Sequence, residues 1–325
     1  RMKTMKWLLK RELWEHKGAL VWAPVVAAAL MLVIITATMF WGLAQGGFHG
    51  DVDFNGHASI GAAFASIPAA HKAQVVATIA GSYMMLSGPL FAMMAIIALF
   101  YCIASMYEER RDRSILFWKS LPVSDTETVM SKLITATVVA PLITIAAAAV
   151  FSLALVIILG ITLAINGVNV IGPVLSSGQF YLLPLQVLAL LPIFALWALP
   201  TVGWLMLVSA WAKSKAFLWA FGIPVALVAV LAWLNYMLGA RIDMDWVSTN
   251  IFARGLGSLF PGSWFMAVPL EPAQFIDESR QLVSTSVIVS KSWSVLSHPQ
   301  LWGGALAGAA MIFGAIRLRR WRDEG

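Results

Sequence analysis

Six long apolar stretches divide the chain, and shorter polar segments separate them. A helix needs about 20 residues to cross the roughly 30 Å hydrocarbon layer of a bilayer. Five stretches reach that length, and the sixth is the shortest. The pattern predicts an all-α polytopic membrane protein with six transmembrane helices, at about 18–44, 76–106, 132–165, 181–211, 216–239 and 301–316.

The sixth stretch is rich in small residues, among them Gly303, Gly304, Ala307 and Gly308. Small side chains let two helix backbones approach closely inside a membrane. We therefore expect this face to pack against another span.

Residues 1–17 show an amphipathic helical pattern, with apolar side chains on one arc and lysines on the neighbouring arc. Trp7 and Trp14 border the lysines, and Lys10 lies between them. Tryptophan prefers the headgroup level of a membrane, and lysine prefers anionic lipid and water. The pattern predicts a helix lying in the membrane interface. The alternative is an ordinary basic flank of the first span.

Composition supports membrane insertion, because 60% of residues are hydrophobic and only 12% are charged. Soluble domains carry about 25% charged residues. The net charge of +6 comes from basic residues at the ends of apolar stretches, so topology explains it better than nucleic-acid binding. The single cysteine, Cys102, cannot form an internal disulfide, and no Cys/His spacing indicates a metal site.

The distribution of Lys and Arg predicts an orientation. With the N-terminus inside, 17 basic residues lie on the inner side and five on the outer side. The positive-inside rule thus places both termini in the cytoplasm, which requires an even number of spans.

The segment 107–131, between the second and third spans, combines dense charge with exposed apolar residues. A mixed-charge cluster occupies 108–113, and four large apolar residues follow at 115–118. Four large apolar side chains in a row are unfavourable in water unless another protein covers them. We therefore expect a docking site for a soluble protein. The alternative is that 115–118 dips back into the interface. Ser124 and Glu127 form a capping-box pattern that starts the next helix. The candidate contacts are Glu108, Glu109, Arg110, Arg111, Arg113, Ile115, Leu116, Phe117 and Trp118, with Lys213 and Lys215 of the next inner loop as a lesser contact.

The predicted outer loop, 240–299, is the longest and is partly amphipathic, with Pro261 and Gly262 interrupting it. Two interpretations stay open: short interfacial or re-entrant helices, and a small ordered loop outside the membrane.

Several chemistries lack the residues they need. No ionisable side chain falls in the central part of a predicted span, which argues against transport driven by an ion gradient. All five histidines lie outside the spans, and no phosphate-binding loop occurs. We expect no catalytic site on this chain.

The arrangement resembles the ABC-2 type permeases, the membrane subunits of ATP-driven exporters. The most specific match is the run E-E-R-R-D-R-S-I-L-F-W-K-S-L-P-V-S-D at 108–125, which is similar to the family's coupling-helix region. The resemblance implies an elbow helix at 1–17, a coupling segment at 107–131 and an outer loop that closes the exit side. It also implies a bacterial plasma (inner) membrane location, a second permease copy, and two copies of a separate ATP-binding cassette subunit that carries ATP and Mg²⁺.

Apolar span walls favour a hydrophobic or amphipathic substrate such as a lipid, a peptide or a drug-like molecule. Two alternatives remain. A membrane-embedded enzyme acting on lipid-borne substrates would need acidic residues or histidines to converge at one membrane face. The outer-loop candidates are Asp51, Asp53, His57, Asp243, Asp245, Asp277 and Glu278. A membrane scaffold or sensor would use the same cytoplasmic segment to recruit a signalling protein.

Overall fold

The structure is a computed structural model that describes residues 2–44, 64–113, 122–239, 241–269, 276–277, 282–283 and 285–321. Six of its helices are long and apolar enough to cross a membrane, so the chain is a helical multi-pass membrane protein, as predicted. These spans, numbered 1 to 6 below, are Gly18–Gly42, Ala69–Arg111, Asp125–Ile165, Gly178–Trp211, Ala216–Leu238 and Pro299–Trp321.

Several spans contain local departures from α-helical geometry. Their component helices are Met2–Glu15 before span 1, Gly18–Trp22 (π) and Ala23–Ala44, then Ala69–Ser82, Tyr83–Ser87 (3₁₀) and Gly88–Arg111, then Asp125–Ile134, Thr135–Val139 (π) and Ala140–Ile165, then Gly178–Ala189 and Leu191–Trp211. The shorter elements are Ile171–Ser176, Met244–Val247, Ser248–Ala253 (π), Arg254–Gly257, Ser263–Met266 (3₁₀), Thr285–Ser294 and Val295–Ser297 (3₁₀). One antiparallel pair of two-residue strands joins Ile276–Asp277 to Leu282–Val283.

Span 3 begins earlier than its apolar pattern predicts, at Asp125 rather than residue 132. The reason is the predicted capping box, which the structure confirms. The Glu127 backbone N–H donates to Ser124 Oγ at 3.2 Å, and the Ser124 N–H donates to the Glu127 carboxylate at 3.2 Å. Because the cap satisfies free N–H groups, a polar turn extends the helix beyond its apolar part.

Both described ends of the chain lie on one side of the bundle. The N-terminal helix contacts the start of span 3 through Glu12 and Lys132, and the end of span 6 contacts span 2 through Arg319 and Glu109. We call this side the termini end and the opposite side the far end.

Spans 4 and 6 form the central helix pair and approach at glycines. A Cβ added to Gly308 would lie 2.5 Å from the Leu199 carbonyl carbon, and one added to Gly203 would lie 2.6 Å from the Gly308 carbonyl oxygen. This confirms the expected close packing at Gly308, whereas Gly303, Gly304 and Ala307 line a cavity. Spans 1 and 5 lie at the periphery and are the least buried.

Residues 243–268, which we call the re-entrant segment, turn back into the bundle instead of forming a separate unit. Thr201 Oγ1 of span 4 donates to the Arg254 carbonyl at 3.0 Å, and Trp197 Nε1 donates to Ser263 Oγ at 3.0 Å. Thr201 precedes Trp211, the last residue of span 4, by ten positions. At 1.5 Å per residue the segment therefore reaches to within about 15 Å of the termini end, near the middle of a bilayer-sized layer.

Candidate coupling site at the termini end

A buried ion-pair network, which we call the inner network, joins four elements at the termini end. Lys132 Nζ of span 3 lies 3.0 Å from a carboxylate oxygen of Glu12 and 3.0 Å from one of Glu109. Arg319 of span 6 pairs with Glu109 and, through Nε at 3.2 Å, with Asp125. The network thus ties the N-terminal helix to spans 2, 3 and 6.

The charges of this network compensate one another. Glu12 is fully buried, and it also pairs with Arg11 and accepts a hydrogen bond of 2.7 Å from the Tyr101 hydroxyl. Burial acts to raise the pKa of Glu12, but the charges of Lys132 and Arg11 and the Tyr101 hydrogen bond outweigh it and lower the pKa to about 2. The carboxyl group therefore stays ionised at neutral pH.

A second connection links span 2 to span 4. Arg110 donates to the carbonyl oxygens of Ser209 and, at 2.9 Å, of Ala212. Ser209 Oγ accepts the backbone N–H groups of Met106 and Tyr107, each at 3.0 Å. Since Ala212 immediately precedes Lys213, this connection places the end of span 2 beside the short loop between spans 4 and 5. The two segments predicted to contact a partner therefore share one corner of the termini end.

The predicted contact residues divide into two groups. Glu108, Arg111, Arg113, Lys213 and Lys215 are exposed. The remaining described ones turn inward: Glu109 joins the inner network and Arg110 is buried against span 4. Direct partner contact by these two stays a prediction, and their described bonds hold neighbouring elements in place. Residues 115–118, that is Ile115, Leu116, Phe117 and Trp118, lie outside the described residues.

The N-terminal helix presents two different faces. Leu8 and Glu12, four residues apart, are buried against the bundle. Trp7, Lys10 and Trp14 are exposed, and the Lys10 ammonium lies 5.3 Å from the centre of the Trp14 ring. The outward face therefore combines aromatic and cationic groups as the membrane-interface prediction requires.

Sequence reasoning named Glu109 only as a partner contact and missed the other members of the inner network, Glu12, Asp125, Lys132 and Arg319. Glu12 lies four residues after Leu8, and this spacing places both on the same face of a helix. An acidic side chain on the apolar face was the available signal that Glu12 needs a buried cationic partner. No spacing along the chain identifies Lys132 or Arg319 as members, because 120 positions separate Lys132 from Glu12 and 210 separate Arg319 from Glu109.

Two other groups of polar side chains give little evidence of a functional site. Glu12, Glu15 and His16 are the described residues close enough together to share a metal ion. Both oxygens of Glu12 already have partners in Lys132, Arg11 and Tyr101, so this group fits an ion-pair network better than a metal site. At the far end, the Asp243 carboxylate accepts the Trp246 backbone N–H at 2.9 Å and caps a short helix.

Comparison with known proteins adds no identification. No protein-family model matches the chain, and neither a curated protein nor a solved structure is significantly similar to it. Its six long apolar helices make the chain a multi-pass membrane protein.

Proposed function

We propose that this chain is the permease subunit of an ABC-2 type exporter, which moves a hydrophobic or amphipathic molecule using ATP hydrolysed by a separate cassette subunit. The observation that carries the proposal is the corner of the termini end, where Glu108, Arg111 and Arg113 lie on the same side as Lys213 and Lys215. An exposed, mixed-charge surface favours a polar partner over lipid.

The connections behind this corner support a role in transmitting movement. Glu109 is adjacent to the exposed Glu108 and is bound to Lys132 and Arg319. Arg110 is bound to the end of span 4. A displacement of segment 107–131 by a partner would therefore act on spans 2, 3, 4 and 6 together, since buried ion pairs resist separation. The N-terminal elbow helix would follow through Glu12.

The remaining parts of the proposal concern the surroundings. Both termini face the cytoplasm of a bacterial inner membrane, in accord with the distribution of basic residues. The assembly contains two cassette subunits, which bind ATP and Mg²⁺, and a second permease copy. Spans 1 and 5 leave large apolar faces for lipid or that second copy.

The test is co-expression with an ATP-binding cassette protein, sought first among the genes beside this one, followed by ATPase measurement in reconstituted vesicles. Replacing both Phe117 and Trp118 with Asp should abolish the complex and the stimulated ATPase activity. If assembly and stimulation survive that change, the docking assignment is wrong.

A matched pair of charge reversals refines the test. Arg113 and Arg241 are both exposed and both have a positive φ, 57° and 49°, but they lie at opposite ends of the bundle. Arg113→Glu should lower the apparent affinity for the cassette protein about tenfold and leave folding intact, because a repulsive charge enters the interface. Arg241→Glu should change neither. Flux of an amphipathic probe into vesicles then separates an exporter from a scaffold.

A further inference from the structure

A cavity of about 480 Å³ lies between spans 4, 5 and 6 and the re-entrant segment. Its walls are mostly apolar and include Trp204, Ile223, Leu227, Ile251 and Met311. Ligand pockets in proteins occupy about 300–1,000 Å³ and combine apolar walls with a few polar groups. The size and the walls suit a molecule with an apolar body.

The charged group of this cavity is Arg254. Only 7% of the Arg254 surface is exposed, and its guanidinium carbon lies 4.1 Å from the centre of the Trp197 ring. Nη2 has a long hydrogen bond of 3.4 Å to the Leu301 carbonyl, and Nε is buried with no hydrogen-bond partner. Arginine carries five N–H donors and stays protonated, so most of its hydrogen-bonding capacity is unused by the described residues.

No Asp or Glu within the described part of the chain forms an ion pair with Arg254. Asp243 and Asp245, the nearest acidic residues in sequence, are exposed, and Asp243 caps a helix. Buried charges in proteins are normally paired, and charges at membrane depth mark functional sites. The guanidinium is thus a cation in an apolar cavity whose anion is not supplied by a described side chain.

The fold also makes room for this cation. A Cβ added to Gly304 of span 6 would lie 2.2 Å from Arg254 Nη2, so only glycine accommodates the guanidinium in its present position. At the neighbouring Gly303, which also lines the cavity, an added Cβ would meet nothing within 4 Å. The cavity is therefore open at Gly303.

We propose that this cavity binds an anionic amphiphile, a molecule with a carboxylate or phosphate group that pairs with Arg254 and an apolar body that fills the space between spans 4, 5 and 6. Asn250 and Gln300, which also line the cavity, are neutral hydrogen-bonding groups for the same anion. Calling the bound molecule a transported substrate rests on the proposed function, whereas binding requires neither ATP nor a partner protein.

The test is a titration of the purified full chain in an uncharged detergent, followed by native mass spectrometry. Dodecyl phosphate is compared with dodecanol, which has the same apolar chain and no charge. We expect the phosphate to bind about tenfold more tightly or better, because a charge-assisted bidentate pair forms only with the anion. Equal binding of the two probes would overturn the proposal.

Three variants assign the binding to this cavity. Arg254→Met should remove the preference for dodecyl phosphate, and Arg241→Met, at an exposed arginine, should retain it. Gly303→Leu keeps Arg254 and fills the open space, so it should weaken binding of both probes about tenfold or more. It also provides the test if Arg254→Met does not fold. Unchanged binding by a folded Gly303→Leu or Arg254→Met variant would contradict the assignment.

A second arm distinguishes two sources of the anion. Phosphatidylglycerol is compared with phosphatidylcholine on the same variants. Retention of phosphatidylglycerol that depends on Arg254 identifies a membrane lipid as the occupant, and binding of dodecyl phosphate alone identifies a free amphiphile. Both results support an anion site. A failure of the co-expression test would contradict the proposed export function, but it would not change these binding results.

Discussion

Two buried basic residues of this chain have opposite surroundings. Lys132, at the termini end, lies 3.0 Å from both Glu12 and Glu109, and its charge is balanced inside the protein. The Arg254 guanidinium, deeper in the bundle, contacts the Trp197 ring and makes one long hydrogen bond to the Leu301 carbonyl within the described residues. Burial is nearly complete in both cases, so the difference lies in the partners and not in the degree of desolvation.

The comparison separates two uses of a buried charge. A balanced charge holds elements together, since removing one partner leaves the other buried and unpaired. A buried charge without a counter-ion forms no ion pair between elements, so it remains available to a ligand. The following changes test this distinction, from the largest expected effect to the smallest.

Lys132→Met should destabilise the protein by about 3–5 kcal/mol, because it leaves Glu12 and Glu109 with less compensation in a buried site. Unfolding of the purified chain in detergent measures the change. Lys10→Met is the control, because Lys10 is exposed on the outward face of the N-terminal helix and its replacement should stay within about 0.5 kcal/mol. Equal effects of the two variants would show that the inner network is not structural.

Acidification should weaken the same network. The pKa of Glu12 is about 2 in the folded chain, below its ordinary value of 4.5, so its ionised form contributes stability above pH 4.5. That contribution, on the order of 3 kcal/mol, is lost as the pH falls from about 4.5 to about 2. Unfolding curves of the wild type and Glu12→Gln across this range measure it. The free energies of unfolding of the wild type and Glu12→Gln should converge at low pH. A difference that stays constant across this range would contradict the assignment.

Gly308→Ala should destabilise the seam between spans 4 and 6 by about 1–3 kcal/mol, because the new methyl group meets the backbone at Leu199. Along span 6, this seam runs from Gly304, beside Arg254, to Arg319, in the inner network. Gly222→Ala in span 5 is the matched control, since an added Cβ there meets nothing within 4 Å. Similar unfolding midpoints for both variants would rule out the close backbone contact.

Arg254→Met should change stability by no more than about 1 kcal/mol in the absence of ligand. Loss of the contact with Trp197 is offset by removal of an unpaired buried charge. Unfolding in a detergent free of anionic amphiphiles measures this effect. A loss as large as that of Lys132→Met would show that Arg254 is a structural residue.

The spans were predictable from sequence because hydrophobic length alone determines them, and all six apolar stretches correspond to helices. The polar ends of the spans could not be predicted from hydrophobic length. They depend on residues such as Ser124 and Pro68, which precede the apolar part and start the helix. The capping box was the exception, because both of its residues lie within one turn.

The sites were less predictable. Arg111, Arg113, Lys213 and Lys215 were predicted to contact a partner because of their local charge. The structure shows that they are exposed. The positions of Glu12 and Arg254 depend on pairing between distant segments. Arg254 belongs to the predicted outer loop, for which re-entrant helices were one of the two open interpretations, but the sequence did not place it beside Thr201. Sequence distance carries no information about such a return.

The most direct measurement is a paired unfolding experiment on Lys132→Met and Arg254→Met, each with and without dodecyl phosphate. We predict that Lys132→Met lowers the unfolding midpoint and keeps the rise produced by the ligand. We predict that Arg254→Met leaves the ligand-free midpoint nearly unchanged and loses that rise. If both variants lower the midpoint alike and both respond to the ligand, the distinction between a balanced and an unbalanced buried charge is contradicted.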